Sequence, residues 1–558
     1  MKENKKRILI LGAGLMQGPA IRAAKELGCD VIAVDGNPNA VCAKEADKFF
    51  PIDLKDIPAL IDLAKSLKEK GLHGVFTAAT DFSVSVAAVA ESCSLPGHSL
   101  EAARRASDKV LMRECFEKHG VHSPKFTHIF KNEIDNALQI LKQKAIPFPL
   151  TVKPADNMGA RGCRLVYSQD ELRPALEDAV NFSRSGKAIA EEFIEGEEFS
   201  LEALVINGEI FLNALADRHI FFPPYFVEMG HTIPSIKSKE ECDELIRVFF
   251  LGIKALGLTN GAAKGDIFLR KADPKKNGKR TACVGEIAAR LSGGYMSGWT
   301  VPYSSGFNVT KAAVKIALGE PVDELPNGEA ALFSAERAAH FSAERAWISV
   351  PGIIKKIYGL EEARSTKNIK DVLPRIFEKD ETVFPKNNVE KCGNVLSSAE
   401  SYDEAVKASM EAVQKIFLRL ERANNKTNLF FEKTNPSITV QGNYPPNFFK
   451  FPEDDSTKEI KNKTFDELLK NSILMEEDEI LYPSFFKDFL DKAFDVHGLS
   501  IREAIKQAFF LEPKLKEKML SLQTIGEPLN PNLVLWWKYF IRGSRQGLIY
   551  YLDTELNG

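Results

Sequence analysis

The sequence predicts a multidomain chain of α/β and α+β class: an open parallel βαβ domain, then a section of paired strands, then a C-terminal helical extension. Three observations predict it. Short apolar runs at 7–11, 31–34 and 74–77 alternate with amphipathic stretches at 20–27 and 59–67, a βαβ pattern that demands a parallel sheet with right-handed crossovers. Strand–turn–strand signals follow, one ending at Lys153-Pro154 and one turning at Asn207-Gly208. The end of the chain carries helix signals, among them Ser500 with Glu503 as a capping box ahead of Ile501, Ala504, Ile505 and Ala508.

The expected boundaries are 1–105 for the parallel domain, 106–320 for the section richer in charge and glycine, and 321–432 for mixed short strands with one long helix. Residues 433–463, with Pro436, Pro445, Pro446, Pro452 and Glu453-Asp454-Asp455, have linker composition. Residues 464–558 read as a helical extension interrupted or restarted at Pro513. The hexapeptide FSAERA occurs twice, at 333–338 and 341–346; six residues make no domain repeat.

Composition sets the outer limits. A length of 558 residues suggests three or four domains. With 44% hydrophobic and 27% charged residues, the chain as a whole is neither disordered, collagen-like nor a coiled coil. A balance of 74 basic against 77 acidic side chains predicts no general affinity for nucleic acid or an anionic membrane. Eight cysteines without a Cys-x-x-Cys pair give no zinc or thioredoxin-type motif and suit a reduced, cytoplasmic setting. The basic start imitates a signal peptide, but Gly12 and Gly14 break the apolar run, so a buried strand is expected. The apolar stretch 533–541 has about half the length a spanning helix needs.

The first candidate site is Gly12-Ala13-Gly14-Leu15-Met16-Gln17-Gly18, between a strand and a helix. Such a loop brings backbone N–H groups close to an anion. Gln17 stands where the dinucleotide fingerprint needs its third glycine. Three readings stay open: a tight turn without ligand, a site for a non-dinucleotide substrate, and a dinucleotide site with Asp35 on the ribose.

The middle section carries more chemistry. Lys153 on a strand, followed by the loop 155–162 with Gly159 and Gly162, can fold over a triphosphate; taken alone it is also an exposed hairpin. The acidic connection 190–199 (AEEFIEGEEF) can hold adenine between carboxylates and backbone, or be an ordinary acidic turn. Two strands, around Asp266 and Glu286, joined by the polar hairpin 270–280, would bring both acids to one end of a sheet. Carboxylate oxygens there suit Mg²⁺ shared with phosphates, or are solvated strand-end acids.

In order and spacing, these pieces resemble the ATP-grasp superfamily. The matching residues are Asp108-Lys109 with Met112-Arg113, Val152-Lys153-Pro154, the glycine loop, Glu191 to Glu198, Asp266, and GEIAARLSGG at 285–294; AVDGNPNA at 33–40 and TAATDFS at 77–83 resemble the Rossmann-like domain that precedes the grasp. The likeness covers about residues 7–425 and implies a core of two α+β subdomains. It implies that Lys109 and Lys153 contact ATP phosphates, that Glu191 and the backbone of Phe193 and Ile194 read adenine, and that Glu198 binds the ribose. It further implies Mg²⁺, replaceable by Mn²⁺, on Asp266 and Glu286, and Arg290 beside the transferred phosphate or the substrate carboxylate. The asparagine common two residues after the second metal acid is Ala288 here.

On the acceptor side, DRHIFFPPYFVEMGHTIPS at 217–235 resembles the substrate loop of L-amino-acid ligases. Glu228 would meet an ammonium, and His231 would donate to a carboxylate or move a proton. The plain alternative is a loop packed down by Phe221, Phe222, Tyr225 and Phe226. Ser292-Gly293-Gly294 and Ser304-Ser305-Gly306 would add backbone donors. The expected activity is an ATP- and Mg-dependent carboxylate–amine ligase working through an acyl phosphate on an amino acid or small peptide-like acid. A homodimer stays open as its assembly. The alternatives are a bicarbonate-using enzyme like carbamoyl-phosphate synthase or a biotin carboxylase, an oxidoreductase, and a non-catalytic ATP-binding regulator.

Overall fold

The computed structural model describes residues 5–272, 278–322, 325, 340–433, 444–452, 457, 463–477, 480–522 and 525–556. The chain folds into two units. One comprises Met1–Ile220, Gly230–Glu344 and Ser397–Val406; the other comprises Phe221–Met229, Arg345–Leu396 and Lys407–Gly558.

The first unit opens as expected. β1 (Arg7–Leu11), α1 (Gly18–Glu26), β2 (Asp30–Val34), β3 (Lys48–Phe50), α2 (Ile57–Lys68) and β4 (Leu72–Phe76) form a parallel sheet of order β3-β2-β1-β4. Strand alternation sends Ile8 and Ile10 into one core and Leu9 and Leu11 into another. All four are wholly buried, which is why the run is continuously apolar.

α3 (Ser83–Ser92), α4 (Leu100–Ser107) and α5 (Lys109–Lys118) lead to a small antiparallel sheet. Its strands β5 (Phe126–Phe130), β6 (Leu150–Pro154), β7 (Arg164–Val166) and β8 (Lys187–Glu192) have the order β5-β8-β6-β7. α6 (Ala137–Gln143) and α7 (Gln169–Phe182) accompany it, α7 burying Leu172, Ala175, Leu176 and Ala179 at helical spacing.

β9 (Gly196–Ile206), β10 (Glu209–Phe221), β11 (Val227–Ile233), β12 (Gly261–Arg270) and β13 (Ala282–Ala288) belong to the larger sheet, side by side in the order β13-β12-β9-β10-β11. The β9–β10 turn is the expected one: Asn207 and Gly208 take φ of 50° and 85°, the left-handed pair a two-residue hairpin needs. α8 (Lys239–Leu256) starts on the Ser238–Glu241 capping box and ends on the left-handed Gly257. It packs Leu245, Val248, Phe249 and Ile253 under the sheet. Gly265 permits that approach, since a Cβ there would lie 2.6 Å from the Phe249 ring. α9 (Val301–Ser305), α10 (Val309–Ala317) and β14 (Phe341–Trp347) follow. β14 is the second FSAERA copy; the first lies outside the described residues.

In chain order there follow β15 (Gly352–Tyr358), α11 (Leu360–Arg364), β16 (Ile369–Pro374), β17 (Glu381–Thr382), β18 (Gly393–Ala399), α12 (Tyr402–Lys415), β19 (Phe417–Leu420), α13 (Asn425–Glu432), β20 (Phe449–Lys450), α14 (Phe465–Lys470), β21 (Leu474–Glu477), β22 (Ile480–Pro483), β23 (Phe494–Asp495), α15 (Ile501–Leu511), α16 (Lys514–Leu522) and α17 (Pro531–Tyr551). The expected division at 432 and 464 does not divide the second unit. One core takes Trp347, Ile354, Val395 and Leu418 from the earlier part and Phe449, Phe486, Trp536, Trp537 and Phe540 from the tail.

The expected linker 433–463 lies largely outside the described residues. Where it is described, at 444–452, Phe448, Phe449 and Phe451 are buried and β20 pairs with β23. The aromatic residues between the prolines need a core. α17 is kinked at Ser544, whose hydroxyl donates to Asp495 Oδ2 at 2.7 Å. Past the kink, Arg545 donates to the carbonyls of Gln414 and Ile416 at 2.6 and 2.8 Å, and Gln546 Nε2 donates to that of Leu418 at 2.8 Å. The tail thereby satisfies the backbone at β19.

Among the described residues no helix is long and apolar enough to cross a membrane. All eight cysteines are free.

Because the tail completes this core, Trp537→Ala is expected to destabilise the second unit by about 3–5 kcal/mol, read by urea denaturation. A chain ending at residue 432 is expected to aggregate. A soluble 1–432 chain with the parent's melting profile would contradict a shared core.

Candidate functional site

In the first unit, α5 brings the glycine loop, β8 and β13 together. Asp108 caps the helix, its Oδ1 accepting from the N–H groups of Val110 and Leu111 at 2.8 and 3.2 Å. Lys109 and Arg113 then lie one turn apart on one face. The buried Lys109 Nζ donates to the Asn157 carbonyl at 2.8 Å and lies 3.3 Å from Glu286 Oε1. Its backbone N–H donates to the Ala155 carbonyl at 2.8 Å. Burial opposes its charge, but Glu286 foremost and Asp81 hold its pKa above the usual lysine value.

The loop 155–162 keeps the predicted character. Gly159 and Gly162 take φ of 72° and 68°, and a Cβ on Gly162 would lie 3.0 Å from Phe182 and Pro154. Asp156 anchors its base by accepting from the N–H groups of Arg184 and Ser185 at 2.9 and 2.8 Å.

Lys153 on β6 donates to Glu191 Oε2 at 2.7 Å, and Arg113 Nε donates to the other oxygen of Glu191 at 2.7 Å. Glu191 is 1% exposed and Arg113 fully buried. Burial pushes the Glu191 carboxyl up, but Arg113 and Lys153 bring it below the usual carboxylate range. Arg113 Nη2 also donates to the Gly285 carbonyl at 2.5 Å. Phe193 and Ile194 follow in the segment between β8 and β9, Ile194 buried.

The two proposed metal acids face each other. Asp266 on β12 is the cross-strand partner of Glu286 on β13, so both side chains leave one face of the sheet. Arg218 Nη1 lies 2.7 Å from Asp266 Oδ1 and 2.9 Å from Glu198 Oε1, and Lys264 pairs with the other Asp266 oxygen. Burial pushes the Glu286 carboxyl up, yet Lys109, Lys264 and Arg290 bring it down to about 2. Two ionised oxygen donors on one face fit Mg²⁺. Ala288 is buried and offers no ligand. Among the described residues no group of three or more His, Cys, Asp or Glu could hold a metal, so a cation held here would complete its shell from phosphate or water.

Arg290 leaves β13 toward the parallel domain. Leu291 bridges to Ala78, and its carbonyl accepts from Arg290 Nη1 at 3.0 Å and from the Ala79 N–H at 3.3 Å. This brings in Asp81, whose carboxyl burial raises against the pull of Arg290. Gly294 takes φ of 61° and Gly293 sits against Ala79. Glu202, wholly buried on β9, accepts from the Ser292 N–H at 2.6 Å and from the Ser297 hydroxyl. Ser304 and Ser305 spend their hydroxyls on the carbonyls of His340 and Val301.

β11 carries both proposed acceptor residues. His231 is buried in the first unit, its Nε2 2.6 Å from Thr300 Oγ1 and its Nδ1 3.5 Å from Glu344. Glu228 belongs to the second, where its N–H donates to Asn388 Oδ1 at 2.8 Å and its carbonyl accepts from Lys391 Nζ at 2.7 Å.

The N-terminal glycine loop is filled from within. Gln17 accepts from the Gly14 N–H at 3.2 Å and donates to the Ala78 carbonyl at 2.6 Å, and a Cβ on Gly12 would meet it at 2.9 Å. Asp35 Oδ2 accepts from the Ala13 N–H at 2.8 Å. Gln17, in place of the third fingerprint glycine, and Asp35, the candidate ribose acid, are both spent on the turn.

Comparison with known proteins agrees with this geometry. Residues 106–291 match the family model of the ATP-grasp domain, and residues 21–97 that of the ATP-grasp N-terminal domain. The chain contains an ATP-grasp domain. Residues 346–421 match the L-amino acid ligase C-terminal domain 2.

The chain is 27% identical over 379 residues to the C-terminal section of the carbamoyl phosphate synthase large chain of Methanocaldococcus jannaschii, covering 62% of this chain and 55% of that one. It is 24% identical over 355 residues to the large chain of Archaeoglobus fulgidus, covering 58% and 31%. It thus spans about half and about a third of the length of these two relatives. Similar folds are an L-amino acid ligase from Bacillus licheniformis (TM-score 0.63, 22% identity, 75% of this chain and 99% of that one) and a phosphoribosylglycinamide synthetase from Anaerococcus prevotii (0.55, 25%, 75% and 100%).

Sequence reasoning about the ATP-grasp site left out Arg218, Lys264, Asp81 and Glu202. Lys264 had a signal, two residues before Asp266 on the same strand face. Arg218 had none, because the β9–β10 register that sets Asp217 opposite Phe199 depends on a shift between Leu212 and Ala214. Asp81 lies inside the TAATDFS motif at 77–83.

Glu191 gives the ATP-grasp site a pH signature. Its folded pKa lies below the ordinary glutamate value of about 4.3. Its contribution to stability is therefore present above that value and lost as pH falls through the depressed one. Glu191→Gln is expected to cost about 3 kcal/mol at pH 7, with the gap to the parent narrowing as pH falls below about 4. Urea melts at several pH values measure it; a gap constant down to acid pH would contradict the pairing.

Proposed function

We propose that this chain is an ATP- and Mg²⁺-dependent carboxylate–amine ligase acting on an amino acid or a small peptide-like acid. The observation that carries the reading is Lys109: one buried ammonium touches both the Asn157 carbonyl of the glycine loop and Glu286. That is the junction where phosphates would meet both loop and metal. The match to an L-amino acid ligase domain at 346–421 supports the choice of substrate.

On this reading Lys109 and Lys153 neutralise phosphate oxygens, backbone at Phe193 and Ile194 meets adenine, and Glu198 takes the ribose hydroxyls. Asp266 and Glu286 would hold Mg²⁺, or Mn²⁺ in its place, which when bound supplies charge neutralisation at the phosphates. The acid's carboxylate attacks the γ-phosphorus beside Arg290, ADP leaves, and an acyl phosphate remains. The amine then attacks the acyl carbon and expels phosphate, losing its proton. Closure of the loop 155–162 excludes water from the acyl phosphate. Glu228 and His231 are the proposed acceptor-side contacts, with backbone donors at Gly293 and Gly294. The free cysteines suit a cytoplasmic enzyme.

A second reading has one observation behind it: the similarity to carbamoyl phosphate synthase large chains. It makes bicarbonate the acid.

With ATP, Mg²⁺ and pools of amino acids, at least one pool is expected to raise phosphate release above background. Lys153→Met and Glu286→Gln should each lower that rate by about 100-fold or more. No response to any pool, with ADP formed on bicarbonate alone, would transfer support to the second reading. Parent-like turnover in both variants would sink the site assignment.

A further inference from the structure

We infer that Arg113 is the positioning residue that holds the phosphate-binding lysine and the metal-binding strand in one frame, and that Glu191 serves this clamp rather than the adenine ring. The inference rests on the nucleotide reading proposed above.

A guanidinium with no solvent contact is held in place by an anion and by acceptors in fixed directions. Arg113 is 0% exposed. It sends Nε to Glu191 Oε1 at 2.7 Å and Nη2 to the Gly285 carbonyl at 2.5 Å. The second Glu191 oxygen takes Lys153 Nζ at 2.7 Å. Three direct contacts therefore join Lys153 to Gly285, and Gly285 is bonded to Glu286.

One turn earlier, α5 repeats the grip. Lys109 reaches Glu286 and the Asn157 carbonyl. Two cations four residues apart hold two consecutive residues of β13, and each also reaches back to the nucleotide side, Arg113 through Glu191 and Lys109 through the glycine loop. A lysine ammonium at 113 would lack the planar fork that serves two acceptors in fixed directions. The helix spacing thus becomes the spacing between the phosphate and metal subsites.

The same contacts reassign Glu191. Each of its oxygens already answers a cation, and the side chain is 1% exposed. A carboxylate that read adenine directly would accept from its exocyclic amine and repel the carbonyl oxygen guanine carries there. A clamp makes no such distinction.

Calorimetric titration of the full chain with MgATP and MgGTP tests both parts. Arg113→Met is expected to weaken MgATP about tenfold or more, and by less than about twofold in a Lys153→Met background, because it acts through that lysine. Arg113→Lys should fall between parent and Arg113→Met. Glu191→Gln should weaken MgATP and MgGTP by one common factor.

Circular dichroism checks the fold; if Arg113→Met does not fold, Arg113→Lys is carried through the same cycle. Parent-like affinity in the folded variant, an equal loss in both backgrounds, or a changed MgATP to MgGTP ratio in Glu191→Gln overturns the inference. A parent that binds no MgATP overturns the nucleotide reading itself, and is distinguished by that.

Discussion

A charge removed from water has to be answered in place, and the first unit is arranged around that constraint. Glu191 sits in the interior because Arg113 and Lys153 both reach it. Glu286 stays ionised because Lys109, Lys264 and Arg290 surround it. Asp266 and Glu198 share Arg218. Lys109, Lys153, Asp266 and Glu286 each lie against an opposite charge. On the proposed reading, binding is an exchange of partners: phosphate takes the lysines as the metal takes the acids. Such an exchange keeps the local charge nearly constant, so the fold need not tolerate a large unpaired field in either state.

This pairing also explains what the sequence shows and what it hides. The parallel domain, the Asn207-Gly208 hairpin and the α8 caps follow from periodicity and turn chemistry, which are local. The facing of Asp266 and Glu286 was readable too, since two strands and a short connection imply antiparallel register. The partner of Glu191 was not. Arg113 stands 78 residues away in sequence, and nothing local ties a residue of α5 to the end of β8. Glu202 was hidden for the same reason: an acid inside an apolar strand announces burial only once the Ser292 and Ser297 donors are placed beside it.

The composition of the tail does not disclose its place in the core. Prolines and acids give 433–463 a linker composition, and most of that stretch lies outside the described residues. Phe448, Phe449 and Phe451 belong to a different scale, because aromatic side chains so close together must find cover. The strands of the second unit supply it, and the kinked α17 returns Arg545 and Gln546 to their backbone carbonyls. The role of the tail is therefore to be sought first in completing the core, before any separate activity.

Two glycine loops in this chain show how one residue decides between a turn and a site. At 12–18 the third glycine of a dinucleotide fingerprint is displaced by Gln17, whose amide bonds across the loop to Gly14 and Ala78 and fills the space over Gly12. The backbone donors there have a partner within the protein. At 155–162 the two glycines take left-handed conformations, and the neighbouring carbonyls are held by Lys109 from below, leaving the loop ordered at its base. A glycine-rich turn after a strand occurs in both places, leading into a helix in the first and into β7 in the second. The difference lies in whether the protein's own side chain has already taken the anion's position, and that is why the phosphate-binding role is proposed for the second loop.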